Sequence, residues 1–392
     1  MIQQKPIPLV DVAWQHQQIR ASIDQAINRL LNERTCDGTE FVKALEAEVV
    51  NLLGGNIHAI AVQSGTAAEF LILKGLGIGP GDEIITVPNS DIATTATISH
   101  TGARFVLVDV ESTSHNLDPN RLEAAITPRT RAIVPVHMYG LPARMDAIIK
   151  IADAHTIQVV EDATHALGGQ YQGKPVGTLG HAGFFSFAPR KVIGGTGNGG
   201  IIVTRDKDLA WRLRLLRGYG HDPARGEAPI AERHTYSDTG YIAEGYNLKL
   251  DAIHAAIIRE KLSRLMEWTK LRESIADCYT TSLADIDGIE TPHVPLRSRH
   301  AWRNYVITIT KRDFVRSHLQ KLGITSSVLY IPPVHLTPVY ADLNQKEGSY
   351  PVTESLAKKL LCLPMYPGMS KTQVTAVVQG IREALSETKS TD

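Results

Sequence analysis

The sequence predicts an α/β fold, a mostly parallel sheet buried between helices, followed by a smaller α+β unit. Three observations carry this. Short β-branched runs alternate with segments of helical apolar spacing through roughly the first 250 residues. The runs are apolar throughout, as strands covered on both faces are. After about Gly245 the alternation stops, and a long helical pattern leads into a separate group of strands and helices.

The first segments, Gln17 to Asn32 and Glu40 to Leu53, read as helices ahead of the sheet. They are expected to pack on the smaller unit or on a partner subunit. Ala59-Ile60-Ala61-Val62 is the first strand, ended by Ser64-Gly65-Thr66, and Ala67 to Leu76 has helical composition. Glu83 to Val87, Arg104 to Val108, Arg131 to Val136 and Thr156 to Val160 are further strands, punctuated by Gly, Pro and Asp. Met145 to His155 is a helix between two of them. One long helix is predicted from Asp251 to Leu283, with Ile253, Ile257, Ile258, Leu262, Leu265, Met266 and Leu271 at near-helical spacing. Beyond it come a strand near Arg303 to Thr310 and helices near Asp313 to Leu322 and Lys371 to Leu385. These readings divide the chain into a large domain, 1–250, whose N-terminal helices occupy 12–53, and a small domain, 251–392.

A chain of 392 residues is long enough for two domains and a large core. Its 41 basic and 41 acidic residues balance, so its charge makes no case for nucleic acid or an anionic membrane as partner. No apolar run reaches the roughly 18 residues of a membrane span. Met1 to Pro6 lacks the apolar core of a signal peptide. Cys36, Cys278 and Cys362 lie far apart, show no metal-ligand spacing and cannot all pair, which favours a reducing cytoplasm and no metal site.

Three motifs carry chemistry. Ser64-Gly65-Thr66-Ala67 joins a strand to a helix. Its free N–H groups and the helix dipole suit an anion, with Gly65 permitting close approach and Thr66 adding a donor; a plain Ser/Thr N-cap is the alternative. It lacks the lysine of a P-loop, and no GxGxxG follows the first strand, which disfavours NTP or dinucleotide binding. Asp162 ends the strand Val159-Val160, with His165 three residues on. Strand ends are where open α/β sheets present ligand contacts, although a helix cap reads equally well. Ser186 lies between Phe185 and Phe187, and Lys191 follows on a loop before the glycine run Gly194 to Gly200. A lysine on such a loop suits a carbonyl cofactor, and an acid at another strand end suits a pyridine nitrogen. Together they point to pyridoxal 5'-phosphate (PLP), held as a Schiff base on Lys191.

Six elements, in order, resemble the DegT/DnrJ/EryC1/StrS family of PLP-dependent sugar aminotransferases. Gly81-Asp82-Glu83-Ile84-Ile85 is similar to its GDEVI, Val136-His137-Met138-Tyr139-Gly140 to VHLYG, and Glu161-Asp162-Ala163-Thr164-His165-Ala166 to EDAAHA. Phe185-Ser186-Phe187 through Lys191 to Gly199-Gly200 resembles FSFxxxK…GG. Gly245-Tyr246-Asn247-Leu248-Lys249-Leu250 resembles GYNxRL, and Leu363-Pro364-Met365-Tyr366-Pro367 resembles LPMYP.

The resemblance implies a fold type I transferase. It implies Lys191 as the Schiff-base lysine, Asp162 at the pyridine nitrogen and His165 near the ring hydroxyl. Gly65, Thr66 and Ser186 are implied phosphate contacts. Asn247 is implied to reach the cofactor of a neighbouring subunit, making a homodimer with shared sites. His335 matches a segment near the substrate entrance. The sequence departs from the family at Asp91, where members carry an aromatic residue, and at Asn198, where an acid is usual. Asp91 is therefore a candidate substrate residue, and His165 or another side chain is expected to take the ring contact. The implied reaction moves an amino group from L-glutamate, or else glutamine, to a nucleotide-linked 3- or 4-keto-deoxyhexose, with a keto-cyclitol as the other acceptor. A sugar dehydratase of the same fold would carry histidine in place of Lys191, and a non-catalytic regulatory relative would be expected to lose Lys191, Asp162 or the phosphate loop.

Overall fold

The computed structural model describes residues 6–32, 39–223 and 240–389. Helices α1 (Val12–Gln18), α2 (Arg20–Asn32) and α3 (Thr39–Leu52) precede strand β1 (His58–Val62). Then follow α4 (Gly65–Gly75), β2 (Glu83–Thr86), α5 (Ile92–His100), β3 (Arg104–Leu107), α6 (Pro119–Leu122), β4 (Thr130–Ile133), α7 (Met145–Ala154) and β5 (Gln158–Asp162). A short hairpin, β6 (Gln170–Tyr171) and β7 (Lys174–Pro175), leads to β8 (Ala182–Ser186), β9 (Gly200–Thr204) and α8 (Lys207–Arg217). The remainder holds α9 (Ala252–Leu262), α10 (Leu265–Leu283), β10 (Ile289–Glu290), β11 (Ser298–Arg299), β12 (Tyr305–Ile309), α11 (Arg312–Lys321), α12 (Pro351–Lys359), β13 (Leu360–Leu363) and α13 (Lys371–Lys389).

The main sheet has seven strands in the order β1-β9-β8-β5-β4-β2-β3. Its apolar runs are explained by burial on both faces. Ile60, Val62, Val160, Phe184 and Ile202 meet α4 and α8 residues such as Leu71, Ile72 and Leu213 on one side. On the other, Ala59, Ala61, Phe185 and Ile201 meet α3 and α9, while Ile133 and Val159 meet Ile148 and Ala152 of α7. The sheet is mixed rather than wholly parallel, because β9 runs antiparallel to both β8 and β1. A strand buried on both faces looks the same in either direction, so composition does not disclose this.

The predicted helix from Asp251 to Leu283 is two helices, broken at Ser263 and Arg264. Ile253, Met266 and Leu271, three of the residues that suggested one continuous stripe, are exposed. The helix α9 buries Ile257, Ile258 and Leu262 in the core that holds Phe187 and Ile193. Leu265 and Trp268 of α10 continue that core, whereas Ile275, Tyr279 and Leu283 enter another, under the antiparallel sheet β10-β12-β13. The N-terminal helices α2 and α3 pack within the same chain, on α9 and, for α3, on the edge strand β1.

Two connections tie the small sheet to the large one. The Asp109 carboxylate accepts from Val352 N, Thr353 N and Thr353 Oγ1 at 2.8–2.9 Å, capping α12. Residues 301–304 cross over the Tyr139-Gly140 turn, where Ala301 N donates to Gly140 O (2.9 Å) and Asn304 N to Tyr139 O (3.2 Å). Among the described residues no helix is long and apolar enough to cross a membrane. Cys278 and Cys362 are free thiols; Cys36 lies outside the described residues.

Candidate active site

Strand register gathers the chemistry on one edge of the sheet. Val62 pairs with Gly200, Gly200 with Ser186, and Asp162 with Phe184. The C-terminal ends of β1, β5 and β8 therefore open together, as ligand-binding α/β sheets arrange them. Gly65 closes the gap between them. A Cβ there would stand 2.9 Å from Ser186 Cβ and 3.5 Å from Thr164 Cγ2. The cap reading of this motif is met, and it leaves two N–H groups over. Ser64 Oγ accepts from Ala67 N (3.0 Å) as the cap of α4, while Gly65 N and Thr66 N, at the helix start, have no partner among the described residues. Thr66 is exposed. Unpartnered N–H groups at the positive end of a helix suit a phosphate. Gly65→Val is expected to weaken PLP binding by about tenfold and, by crowding Ser186, to cost the fold about 1–3 kcal/mol, lowering the unfolding temperature by a few degrees. Equilibrium dialysis of the apoprotein measures it.

Lys191 is carried by a loop that the chain pins at several points. Phe187 N donates to Gly199 O and Gly195 N to Phe187 O, both at 2.7 Å, so the glycine run is held against the end of β8. From below, buried Lys261 donates Nζ to Gly194 O, and Arg272 donates to Val192 O at 2.9 Å. Lys191 Nζ itself donates to Thr164 Oγ1 at 3.4 Å. Burial lowers its pKa to about 8, with the Arg303 charge acting in the same sense and Asp162 and Asp91 opposing it. The unfolded lysine titrates near 10.5. The folded protein thus binds this proton less well than the unfolded chain, and the destabilisation from burying the charge is relieved as pH rises from about 8 towards 10.5. The neutral amine fraction rises about tenfold between pH 7 and 9. The rate of PLP uptake by apoprotein is expected to follow it with a midpoint near 8, and a flat stopped-flow profile would contradict the assignment.

Asp162 sits 5% exposed at the end of β5. Its Oδ1 accepts from Thr164 N (3.0 Å) and its Oδ2 lies 3.5 Å from Thr94 Oγ1. It caps a turn rather than a helix. Beneath it, Glu69 is fully buried. Burial, and then the Asp162 charge, raise the Glu69 carboxyl well above the usual carboxylate range. His165 is neutral, because burial, then Lys191 and Arg303, lower its pKa well below 6.5. Its Nε2 is 3.1 Å from Tyr330 Oη, with the two rings nearly parallel, and its Nδ1 is enclosed without a partner.

The structure thus brings together Lys191, Asp162, His165, Ser186 and Gly65, with Thr66 at the rim. Asp91 is exposed and caps α5, accepting from Ala93 N at 3.0 Å, and its charge is felt at Lys191. Asn247 is exposed on a segment whose backbone bridges to Gly218. Its side chain makes none of the hydrogen bonds that join the other site residues. His335 requires a correction. Its side chain is fully buried, 3.0 Å from Glu354 Oε1 and edge-on to Tyr350, which leaves no surface for substrate. The same segment instead sends Tyr330 to His165. Thr164, Thr94, Glu69, Arg303 and Tyr330 were not singled out in the sequence. Thr164 lies inside the Asp162–His165 motif and Tyr330 five residues before His335, whereas nothing local marks Arg303.

These residues fit PLP. The cradle at Gly65 and Ser186 would take the phosphate, Asp162 the ring nitrogen, and the orphaned His165 Nδ1 a polar group of the ring.

Residues 17–382 match the DegT/DnrJ/EryC1/StrS aminotransferase family. A dTDP-3-amino-3,4,6-trideoxy-alpha-D-glucose transaminase of Streptomyces venezuelae is 39% identical over 96% of each chain. A UDP-N-acetyl-3-dehydro-alpha-D-glucosamine 3-aminotransferase of Acidithiobacillus ferrooxidans is 36% identical over 98% of this chain and all of its own. Among solved structures, S. venezuelae DesV in complex with a ketimine intermediate superposes with a TM-score of 0.89 at 38% identity, covering 97% of this chain and 98% of its own. The chain belongs to the DegT/DnrJ/EryC1/StrS aminotransferase family, and is a fold type I, PLP-dependent aminotransferase.

Proposed function

We propose that this aminotransferase moves an amino group from L-glutamate to a nucleotide-linked 3-keto-deoxyhexose. The observation that carries the reading is Lys191, a half-buried amine with its pKa lowered to about 8, on the same sheet edge as Asp162 and the Gly65 cradle. When bound, PLP supplies an electron sink for a substrate carbanion. The protein supplies the rest. Asp162 keeps a positive ring nitrogen paired. Gly65, Thr66 and Ser186 hold the phosphate. Lys191 Nζ takes a proton from the donor carbon and returns one to the acceptor carbon, a role suited to an amine titrating near working pH. Thr164 Oγ1 orients that amine, and Tyr330 sets the plane of His165.

The acceptor position follows the similar proteins, whose names place the nitrogen at carbon 3 of a dTDP- or UDP-linked sugar. A 4-keto sugar and a keto-cyclitol are the rival acceptors. A homodimer belongs to the proposal. Asn247 is exposed beside the strand β1 end, and its proposed partner is the phosphate of the other subunit's cofactor. A cytoplasmic setting is proposed too, since Cys278 and Cys362 are both unpaired. Nitrogen-labelled L-glutamate, incubated with 3-keto and 4-keto nucleotide sugars, tests the reading by product mass. Label is expected in the 3-amino sugar. Label only in the 4-amino product, or transfer only from glutamine, would overturn the corresponding part.

A further inference from the structure

Arg303 precedes β12 and reaches the site by the crossing of residues 301–304 over Gly140. At the point where a Gly140 Cβ would stand, His165 O lies 3.0 Å away and Arg303 N 3.1 Å away. The backbone of Arg303 is therefore packed beside that of His165, the residue bonded to Tyr330. Its guanidinium has one protein partner among the described residues, Asn304 Oδ1 at 3.2 Å from Nη1. Its Nε is enclosed without any partner. A guanidinium has five donors in a planar fork, and an enclosed one without a carboxylate is costly. Such a group is suited to an anionic ligand that pairs with it bidentately.

Two buried cations nearby, Lys261 and Arg272, hold the loop through Gly194 O and Val192 O, and Arg272 also keeps an enclosed Nη1 without a partner. Of the three, Arg303 is the one whose charge acts on Lys191. That charge is the largest influence after burial on Lys191, and it reaches His165 and Tyr330. An amino acid reacting at Lys191 carries its carboxylate one bond from the reacting carbon. The cation that receives the carboxylate must then stand beside the lysine, as Arg303 does.

We propose that Arg303 is the carboxylate receptor of the amino donor, orienting it at Lys191, and is thereby a determinant of donor specificity. The inference rests on the aminotransferase reading above. A carboxylate could also arrive on an acidic sugar acceptor, and the experiment separates the two. PLP-loaded protein is titrated calorimetrically with succinate, an unreactive stand-in for the donor, and with D-glucuronate, for native protein, Arg303→Met and Arg303→Lys. Expected is an affinity for succinate lowered about 100-fold in Arg303→Met and less in Arg303→Lys, with glucuronate and PLP affinities unchanged. In steady state, KM for L-glutamate should rise while KM for the keto-sugar does not.

Unchanged succinate binding in Arg303→Met would overturn the proposal. Loss of glucuronate binding alone would assign Arg303 to the acceptor, and an equal loss of PLP affinity would assign it to the cofactor; either overturns the donor role. Should Arg303→Met not fold, Arg303→Lys decides: native-like succinate affinity and native-like KM for L-glutamate would overturn the bidentate role. Native protein that transfers no nitrogen to any acceptor would defeat the aminotransferase reading, leaving the succinate titration to decide on Arg303 separately.

Discussion

Lys191→Ala is expected to lower steady-state transamination by roughly 10⁴-fold or more, because the proposed mechanism makes one amine both the attachment point and the proton carrier. The surroundings make the loss hard to replace. Lys191 is half-buried, its Nζ is positioned by Thr164, and its pKa is brought to about 8 by burial and Arg303. Lys261, the nearby buried lysine, is held on Gly194 O under the loop and cannot substitute. Lys191→Arg should be as inactive, since a guanidinium keeps the charge but does not give up its proton. The variant's fold should survive, because a buried cation is removed rather than a packed apolar group, and PLP should still be retained through Gly65, Thr66, Ser186 and Asp162. Dialysis, circular dichroism and the glutamate-induced bleaching of the cofactor absorbance separate these outcomes. Turnover above about 1% of native in Lys191→Ala would be incompatible with a proton-carrying role of this size.

What could be read in the chain beforehand depended on whether the cause was local. The main strands were legible because both of their faces are buried, so the apolar runs are continuous. The direction of β9 was not, because direction leaves no mark on composition. The break between α9 and α10 was hidden for a related reason. Ile253, Met266 and Leu271 continue the apparent stripe but end up exposed, while the true apolar faces turn towards two different cores. At the site, Lys191 and Asp162 were legible because their chemistry is carried by residue type at a strand end. Arg303 and Tyr330 arrive from distant segments through tertiary packing over Gly140 and Tyr139, and only the folded chain makes them neighbours. His335 stood in the right segment, but its ring turns into the core to meet Glu354.

Glu161 is expected to be the acid whose loss costs the fold most, although it adjoins Asp162 in the motif that suggested catalysis. It is completely buried and accepts four hydrogen bonds. Gly177 N and His137 Nε2 reach Oε2 at 2.7 and 3.0 Å, and Leu179 N and Gly180 N reach Oε1 at 2.6 and 2.7 Å. The His137 ring accepts from Ala143 N through Nδ1 (3.0 Å), which places its proton on Nε2 and makes it the donor to Glu161. One carboxylate thereby fastens the turn before β8, and with it the strand that ends in Ser186, to β5 beside Asp162. Glu161→Ala would leave three backbone N–H groups and the imidazole buried without an acceptor. The expected cost is about 3–5 kcal/mol, the range for breaking a buried charged network. Glu161→Gln should recover little of it, because an amide nitrogen would face donors on whichever oxygen it replaces. Thermal unfolding of the apoproteins tests the point apart from turnover. Both variants should melt several degrees below native, and His137→Phe should show a smaller fall in the same direction. A native melting temperature with lost activity would instead make Glu161 a participant in the chemistry.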